Sequence, residues 1–193
     1  MDSKNKMEKI YKIAAVSGSL RTASLNTLYL NALKATAPKN VEFQIFNGLA
    51  SLPPFNVDED ENTPSSVLQW KAFLEPADLI VLCSPEYAHG VSGVLKNALD
   101  WLVSSYQLID RPIALPNISA RATHAHNHMY EIIRTMGFSI VEECSLQATL
   151  ENPLINIDYD LEQMLGDSKI LAQLNHFWAK ASRFYESNDD YRD

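Results

Sequence analysis

Short apolar runs alternate along this chain with longer amphipathic stretches. Residues 10–16 (IYKIAAV) read as a buried strand, and residues 25–33 (LNTLYLNAL) read as a helix. Pro38 and Asn40 stop that helix, because proline cannot continue it. Residues 41–46 (VEFQIF) alternate apolar and polar, the period of a half-exposed strand, which suits a sheet edge. Residues 48–63 form a loop holding Leu52-Pro53-Pro54-Phe55 and a solvated acidic run. Residues 64–77 follow as a helix, with Thr63 as N-cap and Pro64 in the first turn. Residues 78–83 (DLIVLC) are continuous and rich in branched side chains, the mark of a central strand buried on both faces.

A turn over residues 84–93 then leads to a helix over 94–106, a fourth strand over 112–118 and a helix over 122–136 that Gly137 terminates. Pro116 is an unusual resident of a central strand. Residues 138–144 make a fifth strand, residues 158–185 one or two last helices, and residues 1–9 and 187–193 frayed ends. This alternation predicts an α/β chain: one domain, a parallel sheet and right-handed crossovers. A doubly wound sheet in the order 2-1-3-4-5, with helices on both faces, is the natural candidate at this size, although periodicity does not separate it from other five-stranded arrangements.

Two strand-to-helix turns carry unusual chemistry. The first, Ser17-Gly18-Ser19-Leu20-Arg21-Thr22-Ala23-Ser24-Leu25-Asn26, is small and rich in hydroxyls. It lies at the carboxyl end of a strand, where ligands bind, and opens a helix whose free N–H groups suit an anion. Ser17, Ser19, Thr22 and Ser24 offer hydroxyl donors and Arg21 a charged fork, so the turn reads as a phosphate cradle. The second, Ser84-Pro85-Glu86-Tyr87-Ala88-His89-Gly90-Val91-Ser92-Gly93, follows the third strand. In the order 2-1-3-4-5 the first and third strands are neighbours, so both turns face the switch-point crevice. Pro85 stiffens this loop, Tyr87 presents an aromatic face, and Gly90 and Gly93 are expected to let the main chain approach a flat polar ring. Lys96, Asn97, Asp100 and Trp101 sit at helical spacings and read as packing and capping residues rather than catalysts.

Composition narrows the function. The 193 residues carry a formal net charge of −8, with 46% hydrophobic and 21% charged residues. No basic stripe offsets that charge, which argues against nucleic acid and against an anionic membrane surface as partners. Cys83 and Cys144 sit in apolar runs and read as buried, inert thiols. His124 and His128 stand four apart on one helix face, but no carboxylate or cysteine nearby in sequence completes a metal site. His89 reads equally as a substrate contact or an exposed loop residue. The N-terminus has no apolar leader and no run is long enough to span a membrane, so the expected location is cytoplasmic.

Gly18-Ser19-Leu20-Arg21-x-x-Ser24-x-Asn26, with Pro85-Glu86-Tyr87-x-x-Gly90-x-x-Gly93-x-Leu95-Lys96-Asn97-Ala98-x-Asp100-Trp101, resembles the NAD(P)H-dependent FMN reductases, a flavodoxin-like family that includes quinone and azo-dye reductases. The resemblance covers roughly the first two-thirds of the chain. It implies a flavodoxin-like fold, with FMN phosphate on Ser17, Ser19, Arg21, Ser24 and Asn26. It implies Pro85, Glu86, Tyr87 and Ala88 along the isoalloxazine, largely through backbone groups, and a hydrogen bond from Ser119. NADPH or NADH would donate hydride and a quinone, azo compound or free flavin would accept it, by a ping-pong route with no side chain acting as acid or base. By the same resemblance, the helix with Leu95, Leu99, Trp101, Leu102 and Tyr106 contributes to a homodimer or homotetramer.

The family often has Asn at the position of Ala88 and Pro at that of Ser92, and commonly a Ser- and Gly-rich loop where this chain reads Ile118-Ser119-Ala120-Arg121. Rival readings are a flavodoxin-like electron carrier, a binding protein with weakened flavin affinity and a phosphate-ester enzyme.

Overall fold

The computed structural model describes residues 9–119, 121–145 and 159–189. The expected frayed ends at 1–8 and 190–193 and the expected helix start at 158 lie outside them. The elements run β1 (Tyr11–Ser17), α1 (Leu25–Ala35), β2 (Val41–Phe46), α2 (Ser65–Leu74), β3 (Leu79–Cys83), β4 (Glu86–Tyr87), β5 (Gly90–Val91) and α3 (Gly93–Asp100). They continue through β6 (Pro112–Ala114), α4 (Thr123–Thr135), β7 (Ser139–Ile140), α5 (Leu161–Gly166) and α6 (Ser168–Asp189).

The main sheet has 5 strands in the order β2-β1-β3-β6-β7, every pair parallel. This is the doubly wound, flavodoxin-like arrangement. β2 is the edge, as its alternation predicted, and β3 is buried along its whole length.

The period of two in β1 splits the core. Ile13 and Ala15 face one layer with Tyr29 and Leu33 of α1 and Leu174 and Phe177 of α6. Ala14 and Val16 face the other, with Trp70 of α2, Leu95 and Leu99 of α3, and Met129 and Ile133 of α4. Helices therefore cover both faces, as a buried parallel sheet requires.

Three differences from the sequence pattern have local causes. β6 stops at Ala114, four residues short of the expected strand, because Pro116 has no N–H to donate to a neighbour. β7 is reduced to Ser139–Ile140, where a strand through Cys144 was expected. There the chain tightens into a helical turn over Glu142–Cys144, and the Ser145 hydroxyl takes the place of a strand partner. That hydroxyl accepts from the Leu115 N–H at 3.0 Å and donates to the Val141 carbonyl at 2.8 Å. The helix expected to reach residue 106 ends at Asp100. Its Leu95 and Leu99, and Trp101 and Leu102 beyond it, are buried in this chain's own core. What stays exposed past α3 is Val103, Tyr106 and Ile109. At the C-terminus α6 continues to Asp189, into the stretch expected to fray.

On α4, His126 is buried against the Tyr130 ring, centroids 4.8 Å apart. Burial pushes its imidazole below the ordinary histidine range, against the weaker pull of Glu142. Protons therefore prefer the unfolded chain. Stability should be full well above about pH 6.5 and decline as the pH falls through that value. Thermal melts across this range should show a shallower decline for His126→Gln than for the parent chain; parallel declines would count against the assignment.

Candidate functional site

The site begins at the seam between β1 and β3, where Ser17 pairs with Cys83. The Gly18 N–H donates to the Cys83 carbonyl at 2.7 Å, and the buried Ser92 hydroxyl donates to the Gly18 carbonyl at 2.6 Å. A Cβ on Gly18 would stand 3.0 Å from both Leu95 Cδ2 and Ser92 Oγ. Only glycine lets the start of α3 seat this close to the end of β1.

From Gly18 the chain braces itself through its own hydroxyls. Ser17 Oγ accepts from the Ser19 N–H at 3.3 Å and from the Thr27 hydroxyl at 2.8 Å. Ser19 Oγ accepts from the Arg21 N–H, and Ser24 caps α1 by accepting from the Thr27 N–H, each at 3.3 Å. The first turn of α1 carries no acidic side chain, so its N–H groups keep their affinity for an anion.

A cleft of about 320 Å³ opens beside this turn. One side is Ser19, Arg21, Ser24 and Asn26; another is Ser84, Pro85, Glu86 and Tyr87; the third is Ile118, Ser119, Arg121 and Ala122. The two turns singled out in the sequence do meet in one hole, at the small end of the ligand-cavity range. Most of the expected site residues line it. Ser17 does not: it is buried beneath the turn and serves as its brace. Ala88 stands outside, at the exposed tip of the β4–β5 hairpin.

The Pro85-Glu86-Tyr87 loop is more ordered than a turn. Glu86 pairs with Val91 and Tyr87 with Gly90. The residues at positive φ are Ala88 (49°) and His89 (58°), the primed-turn geometry of tight hairpins, usually held by Asn and Gly. Gly90 and Gly93 are not the conformational keys that the sequence suggested. Added Cβ atoms there would meet, respectively, only the Tyr87 carbonyl at 3.7 Å and open space.

The hairpin is tied down at both ends. Glu86 Oε2 accepts from the Ala125 N–H at 2.9 Å, capping α4, whose own N-cap Ala122 has no side-chain acceptor. His89 stacks on His124, centroids 4.4 Å apart and rings within 17° of parallel. Among the described residues no cluster of three or more His, Cys, Asp or Glu side chains that could hold a metal exists. Both cysteines are free and buried, and burial pushes the Cys144 thiol up to about 12, so neither is a nucleophile.

The Pro53–Phe55 segment belongs to α3 rather than to the cleft. Asn97 Nδ2 and Trp101 Nε1 both donate to the Pro53 carbonyl at 2.9 Å, and Asn97 Oδ1 accepts from the Phe55 N–H at 2.8 Å. The packing role expected of Asn97 and Trp101 is what the structure shows. The sequence did not single out Thr27, and it marked Ser92 only as a departure from the family's usual Pro. Thr27, three residues past the Ser24 cap, was a readable signal; the role of Ser92 becomes visible only when β1 and α3 are brought together.

A doubly wound sheet with a hydroxyl-lined, arginine-bearing cleft at its switch point defines a flavodoxin-like α/β protein. The chain belongs to the NADPH-dependent FMN reductase family, whose family model matches residues 11–149. A 2-hydroxy-1,4-benzoquinone reductase of a Burkholderia species is 40% identical over 90 residues, covering 47% of this chain and 49% of that protein. A quinone reductase of Escherichia coli K12 is 33% identical over 110 residues, covering 56% and 57%. The chain spans about half the length of the curated relatives it matches.

Among solved structures, the flavoenzyme NAD(P)H:(acceptor) oxidoreductase FerB of Paracoccus denitrificans superposes with a TM-score of 0.68 at 23% identity, covering 90% of this chain and 98% of that one. An archaeal flavodoxin gives 0.51 at 15%, covering 89% and 97%. At these identities the likeness is one of fold.

Glu86→Ala should cost about 0.5–2 kcal/mol through the lost cap on α4, while Glu86→Gln, which keeps an acceptor, should cost less; urea unfolding measures both. Gly18→Ala should cost about 1–3 kcal/mol by forcing α3 off β1, and an unchanged midpoint would show that Leu95 simply swings aside.

Proposed function

We propose that this chain is an FMN-dependent oxidoreductase that takes hydride from NADPH or NADH. It would pass reducing equivalents to a quinone, an azo compound, free flavin or a similar acceptor. The observation that carries this reading is a single cleft joining a braced turn of hydroxyls and the exposed Arg21 to the Pro85–Tyr87 wall. Family membership and the relatives named as quinone reductases point the same way.

The residues present fit FMN. Ser19, Ser24 and Asn26 offer side-chain donors, and Arg21 has no ion-pair partner among the described residues, so together they can hold a phosphate. Ser17 and Thr27 keep that turn in shape, and Gly18 holds it against the wall opposite. Pro85, Glu86 and Tyr87 would meet the ring system with backbone groups and with the exposed Tyr87 face, Ala88 standing by at the hairpin tip, and Ser119 would add a hydrogen bond.

Bound FMN would supply the redox chemistry, taking a hydride from nicotinamide and yielding two electrons to the acceptor. No side chain is needed as acid or base. Among the described residues the one carboxylate lining the cleft is Glu86, which accepts from the Ala125 N–H of α4. The protein's part is to bind, to orient and to set the local field. We place the enzyme in the cytoplasm as a homodimer or homotetramer. That reading is supported by the exposed Val103, Tyr106 and Ile109 and by the lack, among the described residues, of a helix able to cross a membrane.

The test is an absorbance titration of the protein with FMN, followed by anaerobic NADPH or NADH. The expected result is a bound flavin spectrum that bleaches on adding nucleotide. A protein that binds no FMN would sink the reading, and one that binds FMN but bleaches only through a partner protein would be an electron carrier. Arg21→Ala should weaken FMN about tenfold or more, the cost of a charge-assisted phosphate contact. Unchanged affinity would show that Arg21 points elsewhere.

A further inference from the structure

The turns after β1 and β6 share one side-chain design. In the first, Ser17 Oγ accepts from the Ser19 N–H at 3.3 Å and Ser19 Oγ from the Arg21 N–H at 3.3 Å. In the second, Asn117 Oδ1 accepts from the Ser119 N–H at 3.2 Å and Ser119 Oγ from the Arg121 N–H at 3.3 Å. Each turn ends by presenting an arginine to the same cleft. Both arginines are exposed, and neither has an ion-pair partner among the described residues. Among the described residues the one carboxylate lining the cleft is Glu86, whose Oε2 accepts from the Ala125 N–H of α4. In a chain of net charge −8 the described lining of the cleft therefore carries two guanidinium groups against one carboxylate.

The sheet order assigns them different tasks. β3 lies between β1 and β6, so the loop after β3 has the Arg21 turn on one side and the Arg121 turn on the other. A ligand held by its phosphate on the Arg21 turn reaches the Arg121 turn with its far end, the ring. Reduction of FMN by hydride adds two electrons and one proton and leaves one negative charge on that ring at neutral pH. The oxidised ring is neutral. A fixed positive charge beside it therefore binds the reduced form in preference to the oxidised form.

Resting on the proposed FMN site, we infer that Arg121 sets the redox poise of the cofactor. Its guanidinium faces the ring end and stabilises reduced over oxidised FMN, a charge carried by a loop that holds no glycine over residues 117–122. It is a cofactor contact distinct in task from Arg21, whose charge serves the phosphate in both redox states.

The experiment is to measure the affinities of the whole chain for oxidised FMN and, anaerobically, for reduced FMN. The comparison is between the parent, Arg121→Gln, Arg121→Lys and Arg21→Ala. Arg121 is exposed and its side chain makes no ion pair among the described residues, so Arg121→Gln should fold as the parent does, which circular dichroism checks. Arg121→Gln should weaken reduced FMN about tenfold more than oxidised FMN, a two-electron potential lower by about 30 mV. Arg121→Lys should hold most of the difference, and Arg21→Ala should weaken both forms by a similar factor. If Arg121→Gln weakens both forms equally or neither, or if Arg121→Lys behaves as Arg121→Gln, the inference is overturned while the FMN site stands. A parent chain that binds neither form removes the FMN site itself and this inference with it.

Discussion

Everything at the site depends on the seam where β1 and β3 lie side by side. Sheet order reverses there, with β2 on one flank of the pair and β6 on the other, so the two crossovers leave in opposite directions and a crevice opens between them. The seam is closed by two short bonds at Gly18, its N–H to the Cys83 carbonyl and the Ser92 hydroxyl to the Gly18 carbonyl, and α3 packs against the missing side chain. That contact sets the distance between the hydroxyl-rich turn and the wall from Ser84 to Tyr87, and hence the width of the cleft. Ser17 and Ser92, neither of them on its wall, hold the seam from below and from the side.

The electrostatics of the cleft run against those of the whole molecule. Among the described residues the cleft of this acidic chain is lined by two arginines without ion-pair partners and by one carboxylate, which caps α4. The same Glu86–Ala125 bond joins the hairpin to α4, and the His89–His124 stack adds a second tie. The hairpin thus forms a stiff wall even though Ala88 and His89 occupy a backbone region that favours Asn and Gly. Stiffness matters for a site expected to act by orientation and field alone, since preorganised dipoles and charges lose their worth if they must rearrange.

The first half of the chain was legible because its signals are local. The period of two in residues 41–46 and the unbroken apolar run ending at Cys83 mark an edge and a centre, and both stand where the pattern put them. The second half was less so. β6 and β7 are short because Pro116 cannot donate and because Ser145 returns to satisfy Leu115, a contact across 30 residues that no window of sequence displays. By resemblance, the apolar residues around α3 were expected to contribute to a subunit contact. In three dimensions Trp101 anchors the Pro53 loop and Leu95 and Leu99 fill the core beneath the sheet.

The sequence by itself determined the fold class, the edge and centre of the sheet, and the hydroxyl-rich, helix-opening character of the turn from Ser17 to Asn26. Strand periodicity, helix caps and hydroxyl-rich turns are properties of neighbouring residues. Only the tertiary structure decided which of those residues face the cleft. Ser17 turned inward as a brace, Glu86 came to cap α4 from the cleft wall, and Arg121 came to line the same cleft as Arg21. Each of these outcomes depends on partners 10 to 100 positions away in the chain, brought together by the order of the strands rather than by any local pattern.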